Sequence, residues 1–310
     1  MEYCSYLWMV APQYQLLPLD RIQRNPIRID DDVFYCIYHG ESRCYSTAKQ
    51  AKPIKQVDPR RIFKVYRFDG ILTKGAPQMK NYDLDVSTCG KMVLDALIKI
   101  KDMDPTLAFR RSCREGICGS CAVNLQGKNC LACITEIPPD KKITIYPIPH
   151  MYVIRDLVVD MTHFFNGYDS IRPYLIRHDR QKKLGSYQYA QSVDDNNKMV
   201  GLYECVLCAC CSTSCPSYWW NGRRFLGPAT LLHAYRWIID SRDQDSEARL
   251  YDLKDDFAVY RCHTIMNCTL ACPKGLAPHV HIAQLKKLIS RLTKKPQPGI
   301  DTMQFSNTQT

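Results

Sequence analysis

Apolar and polar residues alternate from Arg61 to Phe68, and again at Tyr82, Leu84 and Val86, the period of strands buried on one face. Lys74-Gly75-Ala76-Pro77 lies between them and reads as a turn. Within Met92–Lys101, the residues Val93, Leu94, Leu97 and Ile100 recur at helical spacing. Short strands are predicted at Ala108–Arg110, Ala122–Leu125 and Ile143–Tyr146. Strand, strand, helix, strands in close succession predicts a small α+β domain. After Pro149 the period turns helical: Val153–Phe165, Ala229–Asp240 and Val280–Leu292 read as amphipathic helices. Gly227-Pro228 suits the start of the middle one. The expected organisation is a first domain over residues 58–150, a helical domain over 151–295 and a polar tail over 296–310. No apolar run reaches the roughly 18 residues that a membrane-spanning helix needs, and Asp95 interrupts Met92–Ile100.

Composition adds two constraints. The 310 residues carry a net charge of +11, which favours anionic lipid, an acidic partner or nucleic acid without choosing among them. Of the 17 cysteines, five bunch between Cys113 and Cys133, five between Cys205 and Cys215, and three between Cys262 and Cys272. A chain this long builds a core without staples, and disulfide frameworks spread cysteines out. Bunched thiols point to metal. Residues 1–45 differ from the rest, with four Arg, no Lys and six acidic residues, including Asp30-Asp31-Asp32. Mitochondrial presequences are normally basic. Arg43-Cys44-Tyr45 before Ser46 nevertheless fits a matrix-processing pattern, so residues 1–45 are expected to form an atypical transit peptide.

Cys113-x4-Cys118-x2-Cys121, followed by Cys133, has the spacing of plant-type [2Fe–2S] sites. Gly116 and Gly119 let the loop wrap tightly and aim backbone N–H groups at the sulfurs. The same four thiolates could hold tetrahedral zinc, although zinc sites usually pair two separated C-x2-C knuckles. Cys130 falls outside the frame. Cys205-x2-Cys208-x2-Cys211-x3-Cys215-Pro216 is the full bacterial ferredoxin run, whose fourth cysteine serves the other cluster. The later group supplies Cys262, Ile265, Cys268, Cys272 and Pro273 in the same frame. Cys205, Cys208, Cys211 and Cys272 therefore complete a [4Fe–4S] set. Cys215, Cys262 and Cys268 leave a set of three, because Ile265 cannot ligate, and three thiolates predict [3Fe–4S]. Cys210 lies out of frame. The chain has no Gly-rich dinucleotide fingerprint, nucleophile elbow or P-loop, so no catalytic residue of its own is expected. Three clusters without a substrate site make an electron conduit between partners.

Ser112–Cys121, Leu202–Asn221 and Tyr260–Lys274 resemble the succinate dehydrogenase/fumarate reductase iron–sulfur subunits, a likeness running from about Arg61 to Lys294. The resemblance implies a β-grasp [2Fe–2S] ferredoxin domain followed by an all-α ferredoxin-like domain. It implies a partner flavoprotein that holds FAD and oxidises succinate, two membrane-anchor subunits, and ubiquinone as acceptor. It also implies a peripheral place on the matrix side of the mitochondrial inner membrane, within the respiratory chain and tricarboxylic acid cycle. By the same likeness Pro216, Ser217, Trp220, His263 and Ile265 contribute to a quinone pocket. Trp219-Trp220 suits a boundary between protein and lipid, and His263 suits proton exchange. Val65-Tyr66-Arg67 and Val259-Tyr260-Arg261 resemble tripeptides that recruit cluster-delivery chaperones in this family. Departures from the family pattern are Cys130, Arg223-Arg224 and the N-terminus.

Two other readings remain open at this level. The same architecture run backwards would be a quinol:fumarate reductase, since sequence does not fix the direction of flow. A cysteine-rich zinc protein binding nucleic acid would need a dense basic patch, whereas the basic residues here are scattered. No nucleic-acid partner is expected.

Overall fold

The computed structural model describes residues 59–69, 76–179, 188–291 and 299. The segment 1–45 expected to be a transit peptide, the expected turn at Lys74-Gly75 and nearly all of the expected polar tail lie outside these residues.

Alternation produces the first two strands. In β1 (Arg60–Arg67) Phe63 and Val65 face inward, and in β2 (Gln78–Asp85) Tyr82 and Leu84 do the same. The two strands pair antiparallel, with Phe63 opposite Tyr82. A short 3₁₀ turn (Val86–Thr88) leads to α1 (Val93–Met103), where the Asp95 carboxylate accepts the Met92 N–H at 3.1 Å and sits favourably in the first turn. Strands β3 (Ala122–Leu125), β4 (Lys128–Leu131) and β5 (Lys142–Tyr146) complete a mixed five-stranded sheet in the order β2-β1-β5-β3-β4. β5 runs parallel to β1, and the other pairs are antiparallel. The buried face of α1 (Val93, Leu94, Ala96, Leu97, Ile100) packs against Phe63, Val65, Ile143 and Ile145. Side chains sealed this completely contribute about 1.5–3 kcal/mol each. One helix held against a mixed sheet is the β-grasp arrangement.

Three sequence expectations differ from the structure here. Ala108–Arg110 is not a strand, because the Ala108 N–H goes to the Asp156 carboxylate at 2.8 Å rather than to a sheet neighbour. β4 was not foreseen, because Asn129 and Cys130 break its apolar alternation. Val153–Phe165 is a hairpin of β6 (Val153–Arg155) and β7 (Val158–Val159), followed by α2 (Thr162–Ser170). At the hairpin turn Asp156 adopts φ +47°, and its Oδ1 accepts from Phe68 N and Arg67 Nε, both at 2.9 Å. This ties the turn to the end of β1, a long-range bond that local periodicity does not carry.

The second domain is helical. It comprises α3 (Val193–Asn197), α4 (Cys210–Thr213), α5 (Pro216–Asn221), α6 (Gly227–Ile239), α7 (Ser246–Asp252), α8 (Asn267–Leu270) and α9 (Pro278–Arg291). α6 and α9 close on each other through Leu231, Ala234 and Ile238 against Ile282, Leu285 and Ile289. Arg249 crosses this core, paired with Asp243 at 3.0 Å and donating to the carbonyls of Ile171, Arg172 and Tyr174. The described residues fall within one compact unit. No helix among them is long and apolar enough to cross a membrane.

Candidate iron–sulfur centres

The loop between α1 and β3 carries Cys113, Cys118 and Cys121, and the turn after β4 carries Cys133. Arg114, Gly116 and Gly119 have φ values of +64°, +73° and +69°, which fold the loop around its own sulfurs. The N–H groups of Glu115, Ile117 and Cys118 donate to Cys113 Sγ at 3.4, 3.3 and 3.3 Å. Gly116 N–H donates to Cys133 Sγ at 3.2 Å, and Cys118 Sγ lies 3.0 Å from Ser120 Oγ. The N–H of Glu115, joined by those of Cys118 and Ile117, lowers the Cys113 thiol to about 6. Burial pushes the Cys121 thiol in the opposite direction, up to about 12. A ring of N–H donors aimed at sulfur suits a centre that gains negative charge. A buried thiol, in turn, gives up its proton readily only to a metal. The donor set fits an iron–sulfur cluster on both counts.

The cysteines of the second domain sort by lining. Cys205, Cys208, Cys211 and Cys272 border one cavity with Val206, Ala209, Leu232 and Leu276. Burial raises the Cys205 thiol to about 11 and Cys211 well above its ordinary value. Leu276 N–H donates to Cys272 Sγ at 3.4 Å. Cys215, Cys262 and Cys268 border a separate cavity with Pro216, Ser217, His263, Ile265 and Asn267.

The backbone repeats itself between these two groups. Leu207 and Ala209, on either side of Cys208, have φ +53° and +63°, and the short helix α4 follows. Thr264 and Met266, on either side of Ile265, have φ +58° and +67°, and the short helix α8 follows. Ile265 thus occupies in the second turn the place that Cys208 occupies in the first. These non-glycine residues in the left-handed region mark strained, over-determined loops of the kind found at functional sites.

The residues expected to contribute to a quinone pocket do not all meet. Pro216, Ser217, His263 and Ile265 share the cavity of Cys215, Cys262 and Cys268. Trp220 instead lines a larger cleft of about 850 Å³ with His150, Tyr152, His163, Arg223, Arg224 and Phe257. Trp219 is committed internally: its Nε1 donates to Thr213 O at 2.7 Å, and its ring stacks on His150 at 3.8 Å. Trp220 is 78% exposed. Ile265 and Met266 line the three-cysteine cavity and are themselves half exposed, an apolar edge to it.

The remaining cysteines and tripeptides are placed as follows. Cys210 is fully buried and its thiol is hydrogen-bonded to Cys208. Cys130 is half-buried in β4. In the first tripeptide Val65 is sealed in the sheet and Arg67 is paired with Asp104 and Asp156. In the second, Val259 is buried and Arg261 lies over the Phe257 ring at 3.9 Å. Arg224 pairs with Asp255 at 2.9 Å and stacks on Phe257 from 3.8 Å. Among the described residues no three His, Cys, Asp or Glu side chains converge closely enough to hold a single ion.

Sequence reasoning missed two side-chain roles. Asn129 Nδ2 donates to Cys210 O and Thr213 Oγ1, both at 3.0 Å, and so joins β4 to α4 across the domains. Lys286 Nζ donates to Cys262 O at 2.6 Å and holds that ligand loop against α9. Neither leaves a local signal, because each bond spans a long stretch of chain.

Comparison with known proteins agrees with this geometry. The family model of the 2Fe-2S iron-sulfur cluster binding domain matches residues 62–166, and that of the 4Fe-4S dicluster domain matches residues 201–276. Among solved structures the chain is similar to one described as the Mycobacterium smegmatis Sdh1 complex in the apo form. That match has 23% identity and a TM-score of 0.65, covering 76% of this chain and 98% of that one. A hypothetical protein from Helicobacter pylori matches at 15% identity and a TM-score of 0.48, covering 77% of this chain and 41% of that one, a likeness too slight to inform the fold. The chain thus carries a 2Fe-2S iron-sulfur cluster binding domain followed by a 4Fe-4S dicluster domain, on a fold it shares with that Mycobacterium smegmatis chain.

Proposed function

We propose that this chain is the electron-transfer subunit of a succinate:ubiquinone oxidoreductase. It would carry electrons from the FAD of a flavoprotein partner to ubiquinone at the mitochondrial inner membrane, with two anchor subunits holding it on the matrix side. The observation that carries the reading is the sorting of eleven cysteines into three separate sets in spatial succession. These are Cys113, Cys118, Cys121 and Cys133; Cys205, Cys208, Cys211 and Cys272; and Cys215, Cys262 and Cys268. Bound there, [2Fe–2S], [4Fe–4S] and [3Fe–4S] clusters would supply one-electron chemistry over a wide span of potentials.

The residues of the chain do the rest. N–H groups from Glu115 to Cys118 cushion negative charge on Cys113 and Cys133. Val206, Ala209, Leu232 and Leu276 keep water from the second set. Pro216, Ser217, His263 and Ile265 border the third set, with the exposed His263 imidazole placed to exchange a proton with a quinone oxygen. The exposed apolar edge of Ile265 and Met266 suits a membrane-bound partner.

Low-temperature EPR of the assembled complex tests the reading. Added succinate reduces the bound centres and ubiquinone reoxidises them. A complex whose centres stay oxidised with succinate, yet are reduced by dithionite, contradicts it.

A further inference from the structure

Gly119 lies between Cys118 and Cys121 and is buried. Its φ of +69° is one that L side chains rarely adopt. A Cβ placed on it would stand 2.6 Å from the carbonyl oxygen of Val206 and 3.1 Å from the Cα of Cys208. Both of those residues belong to the cysteine run of the second domain. The ligand loop of the first centre therefore meets the ligand loop of the second, backbone against backbone, with no side chain between them.

Asn129 fixes this approach from the side. Its amide nitrogen donates to Cys210 O and Thr213 Oγ1, both at 3.0 Å, and its Oδ1 accepts from Asn124 Nδ2 at 2.8 Å. Cys210 and Thr213 bound α4, which follows directly on Cys208. The sheet edge is thereby tied to the same loop that Gly119 touches.

We infer that Gly119 is a positioning residue for the electron step between the [2Fe–2S] and [4Fe–4S] centres, and that Asn129 holds the two ligand loops at that separation. The inference rests on the proposed function. One electron passes from the centre held by Cys118 and Cys121 to the centre held by Cys208. The first is oxidised, the second is reduced, and no bond or proton changes. Tunnelling weakens exponentially with the gap, so a methyl group wedged at residue 119, against Val206 O and the Cα and Cβ of Cys208, slows the step by forcing the two loops apart while replacing no ligand.

The test uses the assembled complex. After reduction with dithionite, the spin relaxation of the [2Fe–2S] EPR signal reports how close the paramagnetic neighbour lies. Freeze-quenching after mixing with succinate reports how fast the second centre is reduced. Gly119→Ala is expected to keep both signals, weaken the relaxation enhancement and slow reduction of the second centre severalfold. Gly127→Ala is the control: Gly127 has φ +89°, but nothing lies within 4 Å of the new Cβ, so both readouts stay at the wild-type level. Should Gly119→Ala lose its [2Fe–2S] signal, Asn129→Ala carries the test, with all signals present and the enhancement reduced.

Unchanged enhancement and rate in the informative variant overturn the inference. So does an equal effect in Gly127→Ala, because backbone strain would then be the cause. A wild-type complex without the two signals overturns instead the functional reading beneath it.

Discussion

In the proposed function, Ile265 sets the character of the last centre. It stands where Cys208 stands in the preceding turn, between two residues of positive φ and ahead of a short helix. Its side chain borders the cavity of Cys215, Cys262 and Cys268 and is 48% exposed. Ile265→Cys places a fourth sulfur at a position already shaped for one. The expected outcome is conversion of a [3Fe–4S] signal to a [4Fe–4S] signal, with a lowered reduction potential because the site becomes richer in electrons. A fall of about 60 mV in a one-electron couple is a tenfold change in equilibrium constant. Quinone reduction should therefore drop, while succinate oxidation with an acceptor that draws electrons earlier largely survives. Paired activity assays and EPR on one preparation check this. The frame that marks Ile265 was legible in the sequence, because cluster ligands obey strict spacing and a missing one is conspicuous. The separation of Trp220 from His263 and Ile265 was not, because α5 carries Pro216 and Ser217 at one cavity and Trp219 and Trp220 at another cleft.

At the scale of elements, the end of β1 carries the most heavily bonded cation of the first domain. Arg67 reaches Asp104 at the C-terminal end of α1 at 2.7 Å, Asp156 in the β6–β7 turn at 2.9 Å, and Thr106 at 2.7 Å. One guanidinium thus joins a strand, a helix end and a hairpin. Its side chain is 13% exposed and that of Asp156 is 3% exposed. Removing one partner of a buried pair leaves an uncompensated charge, which costs about 3–5 kcal/mol. Arg67→Ala should therefore lower the denaturation midpoint far more than Arg60→Ala. The pair of Arg60 with Asp83 is exposed on both sides, and such pairs contribute about 0–1 kcal/mol. Denaturant titration of the two variants separates them, and equal midpoints would contradict the account.

The same network explains why Val153–Phe165 reads as a helix in sequence and folds as a hairpin. Its apolar positions satisfy both periods, and the choice falls to Asp156, held by Arg67, Phe68 and Ala108 far back in the chain. β1, β3, α1 and α9 are legible because each buries one face on a regular period.

At the scale of the molecule, three cysteine sets lie in succession across two domains. The first contacts the second at Gly119 and Cys208, and Cys211 and Cys215 on one short run lead from the second to the third. An electron conduit needs this continuity and no substrate site of its own. The second domain holds two centres because each cysteine run lends its last ligand to the other cavity. This crossing joins Cys272 to Cys205, and Cys215 to Cys262. Loss of Cys272 should consequently remove the middle centre and leave the ligands of the first untouched.

The most direct measurement is low-temperature EPR of the purified complex in its oxidised and dithionite-reduced states, quantified against iron content. The account predicts a [3Fe–4S] signal on oxidation, and [2Fe–2S] and [4Fe–4S] signals on reduction, each close to one spin per chain. A complex with bound iron but no [3Fe–4S] signal when oxidised, or with only one signal on reduction, contradicts it.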